Sequence, residues 1–407
     1  MSYSSRIIDM KELSVNKDIH NYFLPPQIVF GEGAIANLAI HVKTLGGKKP
    51  LIVSDTGINS VGILSQTTTP LDDANTPYAT FIDIEPNPTD TSVLEGVKVY
   101  KEENCDFVIA VGGGSVMDAA KAIRLLTAHE PPLETYYVDS NGADKIHSDM
   151  PPLICVPTTA GTGSEVSQGA IITDTSLQTT NRWRKRALIT RYNMSNVALL
   201  DPALTVKMPP ALTAATGMDA ITHGIEAYVA TKYHPISEGV ALQAIKILGA
   251  NIRIAYHHGD NMAARGEMLL GSCMGAFSFQ KGLGAVHSIA HQLSTDAPIP
   301  HGVANAILLP PVMEFNLPHV IDKYADVAVA LGVNVEGMSK GEAACAAIDE
   351  IQELNRELGM PTGLGEAGLD REKLPKLATD SMLDHCHKLN PRPCTEEDML
   401  NLLEAAF

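Results

Sequence analysis

The sequence predicts a two-part fold, an N-terminal α/β layer built on a parallel sheet followed by an all-helical C-terminal part. In the first half, short uninterrupted apolar runs alternate with helical patterns, as happens when helices cover both faces of a parallel sheet. In the second half, long segments of helical periodicity follow one another with few β-branched runs. The chain of 407 residues is long enough for two cores. Pro209-Pro210 precedes the first long helical segment, so we place the domains at residues 1–207 and 208–407.

Three apolar runs predict the central strands of the sheet, at residues 51–55, 107–111 and 153–156. Between the last two, residues 116–127 have apolar side chains at a helical spacing. A strand–helix–strand succession of this kind predicts a right-handed, parallel, Rossmann-like layer. The predicted helices of the second half are residues 211–230, 237–257, 261–279 and 341–358.

Composition and charge narrow the class of protein. Hydrophobic residues make up 45% of the chain and charged residues 19%, which is typical of a globular protein. The formal net charge of -17 argues against nucleic acid and anionic membranes as partners, because both require a basic field.

The cysteines and the N-terminus indicate the compartment. The six cysteines are scattered without CxxC spacing, so we expect free thiols in a reducing environment. Residues 1–17 have neither a signal-peptide nor a transit-peptide pattern. No apolar stretch approaches the roughly 18–20 residues that a membrane-spanning helix needs. We therefore expect a cytoplasmic protein.

A glycine turn follows the predicted strand 107–111. Gly112, Gly113, Gly114 and Ser115 connect this strand to the start of a helix. Glycines let the backbone approach a pyrophosphate, and a helix N-terminus offers free N–H groups and a partial positive charge. The spacing is not GxGxxG, so the standard dinucleotide fingerprint is absent. A tight turn without a ligand is the alternative interpretation.

Two further loops and one acid support a nucleotide site. Residues 157–165 follow a strand and are rich in hydroxyls and glycines, and residues 85–89 carry Asn87 between two prolines. The second loop could equally be an ordinary proline turn. Asp55 ends the first predicted strand, where a carboxylate accepts hydrogen bonds from ribose hydroxyls and repels a 2′-phosphate. The sequence therefore favours NAD over NADP.

The helical half contains five candidate metal ligands. Asp219 and His223 are four residues apart, as are His287 and His291, so each pair shares a helix face. His301 follows in a predicted loop. Taken singly, a histidine is more often structural than a ligand, and spacing alone does not select among the five. One carboxylate with several imidazoles suits iron(II) or zinc rather than calcium or magnesium.

The other histidines are weaker candidates. His257-His258 precedes Gly259-Asp260 and has the pattern of a solvated helix end. His385 and His387 flank Cys386 near the C-terminus, and we expect both at the surface rather than in a cleft.

Taken together, these motifs resemble one enzyme family over essentially the whole chain. The sequence resembles the iron-containing (group III) alcohol dehydrogenases in a series of segments that occur in one order: residues 26–31, 112–115, 157–165, 200–202, 217–223, 282–291, 300–306 and 390–392. The resemblance implies a dehydroquinate-synthase-like architecture, with the active site in the cleft between a dinucleotide-binding α/β domain and a helical domain.

The resemblance also assigns roles to residues. It implies Asp219, His223, His287 and His301 as metal ligands, and His291 as a non-ligand near the nicotinamide. Because iron(II) tolerates expansion to five ligands, whereas four protein ligands close a tetrahedral zinc site, we expect Fe2+, with Zn2+ as the alternative. The implied cofactor contacts are Asp55, Asn87, Gly114, Ser115, Thr158, Thr159, Thr162 and Lys185.

Three segments depart from the family pattern. Residues 175–186, which include Trp183, are longer and more basic than the usual turn before the lysine. Residues 279–281 and 292–294 also differ from the familiar residues at those positions. The departures border the expected substrate cleft, so they leave the substrate open.

The expected function is NAD(H)-dependent interconversion of a small neutral primary alcohol or diol and its aldehyde. The metal acts as a Lewis acid, and His291 is either a proton relay or purely structural. The competing enzymes are a hydroxyacid–oxoacid transhydrogenase and a 4-hydroxybutyrate dehydrogenase on the same scaffold. An inactive scaffold or filament subunit is the non-enzyme alternative, and the intact ligand positions argue against it. We also expect a homodimer or a higher homo-oligomer.

Overall fold

A computed structural model of the chain describes residues 20–24, 26–175, 184–297 and 299–407. A six-stranded parallel sheet occupies the first half, and long helices follow from Pro210 onward. The predicted fold class is confirmed. Within the described ranges, no helix combines the length and apolarity needed to cross a bilayer.

The sheet has the strand order β1-β8-β5-β4-β2-β3, and all of its strand pairs are parallel. The predicted central strands are confirmed as β2, β4 and β5. Every residue of these three strands is buried, because helices cover both faces of the sheet. The strands are β1 Gln27–Phe30, β2 Pro50–Val53, β3 Ala79–Phe81, β4 Phe107–Gly112, β5 Leu153–Pro157, β6 Gly169–Asp174, β7 Arg184–Ile189 and β8 Val197–Leu200.

Two apolar layers lie on opposite faces of the sheet because successive side chains of a strand alternate. Leu51 and Val53 belong to one buried cluster, with Val97 and Ile123 of the covering helices. Ile52 belongs to the cluster on the other face. The helices of this half are α1 Leu38–Thr44, α2 Thr56–Ser60, α3 Ile63–Asp73, α4 Asp90–Glu102 and α5 Gly114–Ala128.

An antiparallel hairpin of β6 and β7 projects beside the sheet. Arg186 fixes β7, because its guanidinium donates to Asp174 at 2.6 Å and to Asp139 at 3.0 Å and lies 4.2 Å over the Tyr137 ring. Its neighbour in the strand, Lys185, lines the cleft between the two halves of the molecule. Residues 176–183, including Trp183, lie outside the described residues, as do residues 1–19.

The C-terminal half is a bundle of helices around α6, and the four helices predicted there are confirmed to within a few residues. Nearly every residue of α6 after its first turn is buried, including Asp219 and His223. Polar groups at such depth require partners, which neighbouring helices supply. The helices are α6 Pro210–Val229, α7 Pro235–His257, α8 Met262–Ser278, α9 Ala285–Asp296, α10 His301–Leu331, α11 Lys340–Glu357, α12 Leu374–Ser381 and α13 Glu396–Ala405.

Candidate active site

Three helices bring one carboxylate and three imidazoles together. α6 presents Asp219 and His223 one turn apart, α9 presents His287, and α10 begins at His301. The Nε2 atoms of the three histidines lie 3.7, 3.7 and 3.6 Å from Asp219 Oδ1. Atoms about 2.0–2.2 Å from one ion, in tetrahedral directions, are about 3.3–3.6 Å apart. Ligand atoms of Asp219, His223 and His287 also lie within 4.8 Å of one another, so these three have the spacing of ligands to one ion. His301 Nε2 lies beside the same carboxylate oxygen.

The protonation of these groups also suits a metal. Burial lowers the pKa of His223 to about 4, which leaves the imidazole neutral, as coordination requires. Burial alone would raise the pKa of Asp219, but the surrounding histidines hold it well below its ordinary value. The carboxylate is therefore ionised. One negative and several neutral donors match the chemistry of iron(II) or zinc.

A second carboxylate, from Glu226, forms a hydrogen bond with the Nδ1 atom of His287. Nδ1 of His287 lies 2.6 Å from Glu226 Oε2, and Oε1 of Glu226 accepts the Val286 backbone N–H at 2.8 Å. Because an ionised carboxylate only accepts, Nδ1 is the donor and Nε2 faces Asp219. Burial opposes protonation of His287, but hydrogen bonds to Asp219 and Glu226 raise its pKa to about 9. A divalent ion would replace that second proton.

Asn305 completes the cluster. Its Nδ2 donates to Asp219 Oδ1 at 2.7 Å, and the residue is fully buried. Neither Asn305 nor Glu226 was predicted from the sequence. Their spacing in the sequence could have indicated both, because Asn305 is one helical turn after His301 and Glu226 is one turn after His223.

His291 lies at the edge of this cluster. Its ring is parallel to that of His301, with centroids 5.5 Å apart, and its Nδ1 is 2.8 Å from Asp384 Oδ2. The surface placement expected for the C-terminal histidines was wrong for His387, which is 8% exposed because its backbone N–H is tied to Ser288 of α9. His385 is exposed and lines the cleft.

The predicted nucleotide loops meet at the carboxyl end of the sheet. Gly113 caps the N-terminus of α5, and a Cβ on Gly114 would lie 2.6 Å from the Thr162 side chain. Ser115 Oγ donates to the backbone oxygen of Pro86. The loops at residues 85–89, 112–115 and 157–165 are therefore in direct contact.

One cavity of about 520 Å³ joins these loops to the cluster of metal-ligand candidates. It brings together ten of the residues predicted from the sequence: Asn87, Gly114, Ser115, Thr162, Lys185, Asp219, His223, His287, His291 and His301. Burial lowers the pKa of Lys185 to about 8, against the opposing effect of Asp118.

The remaining predicted cofactor contacts do not line this cavity. Thr158 is buried, and its hydroxyl has no hydrogen-bond partner among the described residues. An orphaned hydroxyl beside a glycine turn fits a dinucleotide that would use it. The Thr159 side chain lies 3.3 Å from the Cβ position of Gly113. Asp55 has a structural task, since its Oδ1 accepts the Ile58 N–H at 2.8 Å and caps α2.

A buried lysine holds the loop after β5 in place. Lys121 Nζ donates to the backbone oxygens of Ser164, Ser167 and Gly169 at 2.6, 3.1 and 2.7 Å. Asp118, one turn earlier on α5, accepts from Ser164 Oγ at 2.6 Å. This network was not predicted from the sequence.

The same loop also touches the helical half. Gly163 has φ +57°, and a Cβ there would lie 2.0 Å from the Cβ of Ala276 in α8. A Cβ on Gly161 would lie 2.6 Å from Thr216 in α6. The two walls of the cleft are therefore packed against each other at this loop.

Glycine-rich loops at the end of a parallel α/β sheet share a cleft with a buried carboxylate–histidine cluster. This combination is typical of metal-dependent dehydrogenases. Family models match both halves of the chain, iron-containing alcohol dehydrogenase over residues 25–202 and the C-terminal region of the Fe-containing alcohol dehydrogenase family over residues 213–407. The chain belongs to the iron-containing alcohol dehydrogenase family.

Individual relatives are similar over nearly their full length. The chain is 37% identical over 388 residues to the NAD-dependent methanol dehydrogenase of Bacillus methanolicus, covering 95% of this chain and 100% of that one. It is 35% identical to the 4-hydroxybutyrate dehydrogenase of Cupriavidus necator, covering 92% and 96%. A crystal structure of 1,3-propanediol oxidoreductase superposes with a TM-score of 0.91 at 37% identity, covering 96% and 100%.

Proposed function

We propose that the protein interconverts a small primary alcohol or diol and its aldehyde, with NAD(H) as the hydride carrier and one divalent metal. The observation that carries this proposal is the shared cavity, which is lined by the candidate metal ligands and by the loops suited to a dinucleotide. The membership in the iron-containing alcohol dehydrogenase family supports the same chemistry.

Asp219, His223, His287 and His301 hold the metal, which is iron in this proposal, with zinc as the alternative. A bound divalent ion supplies Lewis-acid stabilisation of negative charge on the substrate oxygen. Glu226 and Asn305 orient His287 and Asp219, since the outer partners of a metal site fix its ligands. The mutual spacing of Asp219, His223 and His287 and the 3.6 Å distance from His301 Nε2 to Asp219 Oδ1 support this assignment.

The sheet loops would hold NAD, which would supply the hydride acceptor. Gly112–Ser115 backbone groups at the start of α5 take the pyrophosphate. Asp55, next to β2, takes the adenosine ribose and disfavours NADP. The other contacts are Asn87, Thr158, Thr159, Thr162 and Lys185.

The cavity wall favours a small neutral substrate. Phe279, Leu283 and Leu389 contribute apolar surface, and Phe279 lies 5.1 Å from the His223 ring. No arginine lines the cavity in the described part of the chain, so a carboxylate would lack a bidentate partner. Proton transfer between substrate and solvent is assigned to His291.

A hydroxyacid substrate is the second candidate, either as 4-hydroxybutyrate or in a hydroxyacid–oxoacid transhydrogenase. Lys232 lines the cavity, and its Nζ is anchored to the Gln280 backbone oxygen at 3.0 Å. A lysine at that point is a partner for a substrate carboxylate. The similarity to a 4-hydroxybutyrate dehydrogenase supports this alternative.

The test combines elemental analysis of anaerobically purified protein with an NADH-formation assay on ethanol, 1,3-propanediol and 4-hydroxybutyrate. We expect near-stoichiometric metal and turnover of the neutral alcohols. Turnover of 4-hydroxybutyrate alone would favour the second candidate. Protein that retains no added iron(II) or zinc and reduces no NAD with any of the alcohols would instead be an inactive scaffold.

We further propose residues 1–207 and 208–407 as the two domains, a cytoplasmic location, and assembly into a homodimer or a higher homo-oligomer. β1 is an edge strand on which Ile28 and Phe30 are 37% and 44% exposed, and a second copy would cover such a surface. Light scattering of the purified protein tests the assembly.

A further inference from the structure

Asp384 is held in one position by groups from two parts of the chain. It follows α12 and precedes a short helical turn at Cys386–Leu389. Its Oδ1 accepts the backbone N–H of Cys386 at 2.8 Å and the Ser288 hydroxyl at 3.2 Å, while its Oδ2 is 2.8 Å from His291 Nδ1. Ser288 is itself oriented, because its oxygen accepts the His387 backbone N–H at 2.8 Å.

This arrangement selects one tautomer of His291. Burial would raise the pKa of Asp384, but the adjacent His291 and the hydrogen bonds hold it well below its ordinary value. An ionised carboxylate can only accept, so His291 Nδ1 carries the proton and Nε2 is the basic nitrogen of the neutral ring. His291 lines the same cavity as the metal-ligand candidates.

We propose that Asp384 is a positioning residue that holds His291 in the tautomer whose Nε2 takes up the proton of the substrate alcohol. The inference rests on the proposed alcohol oxidation. The hydroxyl proton passes to Nε2, and a nicotinamide bound in the cavity would take up the hydride of the carbinol carbon, so that the aldehyde remains. In the reverse direction the protonated His291 returns the proton to the forming alcohol.

The same residues suggest a competing interpretation as a second cation site. Donor atoms of His291, Asp384 and Cys386 lie within 4.8 Å of one another. However, both oxygens of Asp384 already accept hydrogen bonds, and burial is the main reason that the pKa of the Cys386 thiol is raised well above its ordinary value. A neutral thiol is a poor ligand, so the observations favour the positioning role.

A double-mutant cycle tests the inference with Asp384→Asn, His291→Ala and the double variant. Asparagine can donate its amide N–H to Nδ1 and so favours the opposite tautomer. We expect Asp384→Asn to lower kcat about 100-fold, the range of lost acid–base catalysis, with KM for the alcohol within about two-fold. In the His291→Ala background the same change should have no further effect on kcat, because Asp384 acts only through His291.

Metal content and folding are measured on every variant. Asp380→Asn is the matched control, since this acid on α12 pairs with Lys376 away from the cavity, and it should keep the parental kcat. If Asp384→Asn lowers kcat equally in the parental protein and in His291→Ala, the positioning role is refuted. Loss of the bound metal from Asp384→Asn would refute it as well. If the parental protein forms no NADH with any of the alcohols, the proposed function fails. If Asp384→Asn is fully active, only the positioning role of Asp384 fails.

Discussion

Asp219 is 2% exposed, and an isolated carboxylate at that depth is unfavourable unless it is paired. Three imidazoles and the Asn305 amide surround it. Glu226 places a second carboxylate behind His287, so in the cluster without an ion a protonated His287, whose pKa is raised to about 9, lies between the two buried carboxylates. A divalent cation balances these two carboxylates. The electrostatics of single residues thus lead to the same conclusion as the spacing of the donor atoms.

Glu226→Gln tests this balance. The substitution keeps the shape of the side chain but removes the charge that orients His287, so metal affinity should fall about 10–100-fold. Competition with a chelator, read as the zinc dissociation constant, measures the change. His287→Ala, which removes a proposed ligand, is the control for complete loss of zinc binding. A zinc affinity of Glu226→Gln equal to the parental value would contradict the role given to Glu226.

Asp55 caps α2 and is proposed to bind the adenosine ribose, and substitutions can separate these two roles. Asparagine also caps helices, so Asp55→Asn should preserve the cap on α2 while removing the charge. We expect improved kcat/KM with NADP and an unfolding free energy within about 0.5 kcal/mol of the parental value. Asp55→Gly should shift cofactor preference in the same direction. An unchanged NAD/NADP preference in both variants would place the acid away from the ribose.

At the scale of elements, the sequence predicted the strands and helices well but missed the contacts between them. The central strands are uninterrupted apolar runs, α6 has helical periodicity, and the pairs on α6 and α9 share a face through their spacing. The partners that orient those residues are remote. Glu226 and His287 are 61 residues apart, His291 and Asp384 are 93 apart, and Lys121 and Ser164 are 43 apart. Only the fold brings such pairs together, and His387 was misjudged for the same reason.

Lys121 joins α5 to the loop after β5, so it controls the shape of that loop. Lys121→Met leaves the backbone oxygens of Ser164, Ser167 and Gly169 without their donor and Asp118 without its neighbouring cation. We expect a loss of about 3 kcal/mol in unfolding free energy, with weaker NADH binding. Urea denaturation and NADH fluorescence titration measure the two effects.

The matched control is Lys98→Met on α4. Lys98 is 62% exposed and lies 4.0 Å from Glu95, and such surface pairs contribute about 0–1 kcal/mol. If the two lysine variants are equally stable, the buried network does not hold the loop.

At the scale of the whole molecule, the metal site connects α6, α9 and α10, so metal binding should stabilise the entire helical half. A ligand that binds only the folded state at 100 times its dissociation constant adds about 2.7 kcal/mol. Chelator treatment should therefore lower Tm, and zinc or iron(II) should restore it. Differential scanning calorimetry measures the shift. His287→Ala should not respond to chelator or metal, and a parental Tm that is equally insensitive would argue against a metal-linked fold.

The contact between the two halves can be tested at Gly163. This residue precedes a short helical turn with φ +57° and ψ 26°, and a Cβ there would lie 2.0 Å from the Cβ of Ala276. Gly33 is the matched control, since it precedes a similar turn with φ +78° and ψ 7°, and among the described residues no atom outside Gly33 and its chain neighbours lies within 4 Å of its Cβ position. Both alanine variants carry the backbone penalty of about 1 kcal/mol. Gly163→Ala adds about 1–3 kcal/mol of overpacking.

The overpacking in Gly163→Ala should also alter the cleft, because it displaces the loop that contributes Thr162 to the cavity wall. We expect a higher KM for NAD in Gly163→Ala and an unchanged KM in Gly33→Ala, alongside the larger drop in Tm. Equal losses of stability in the two variants would mean that Gly163 is required only for its backbone angles. A larger loss with an unchanged KM for NAD would mean that the packing of the two halves and the cofactor site are independent.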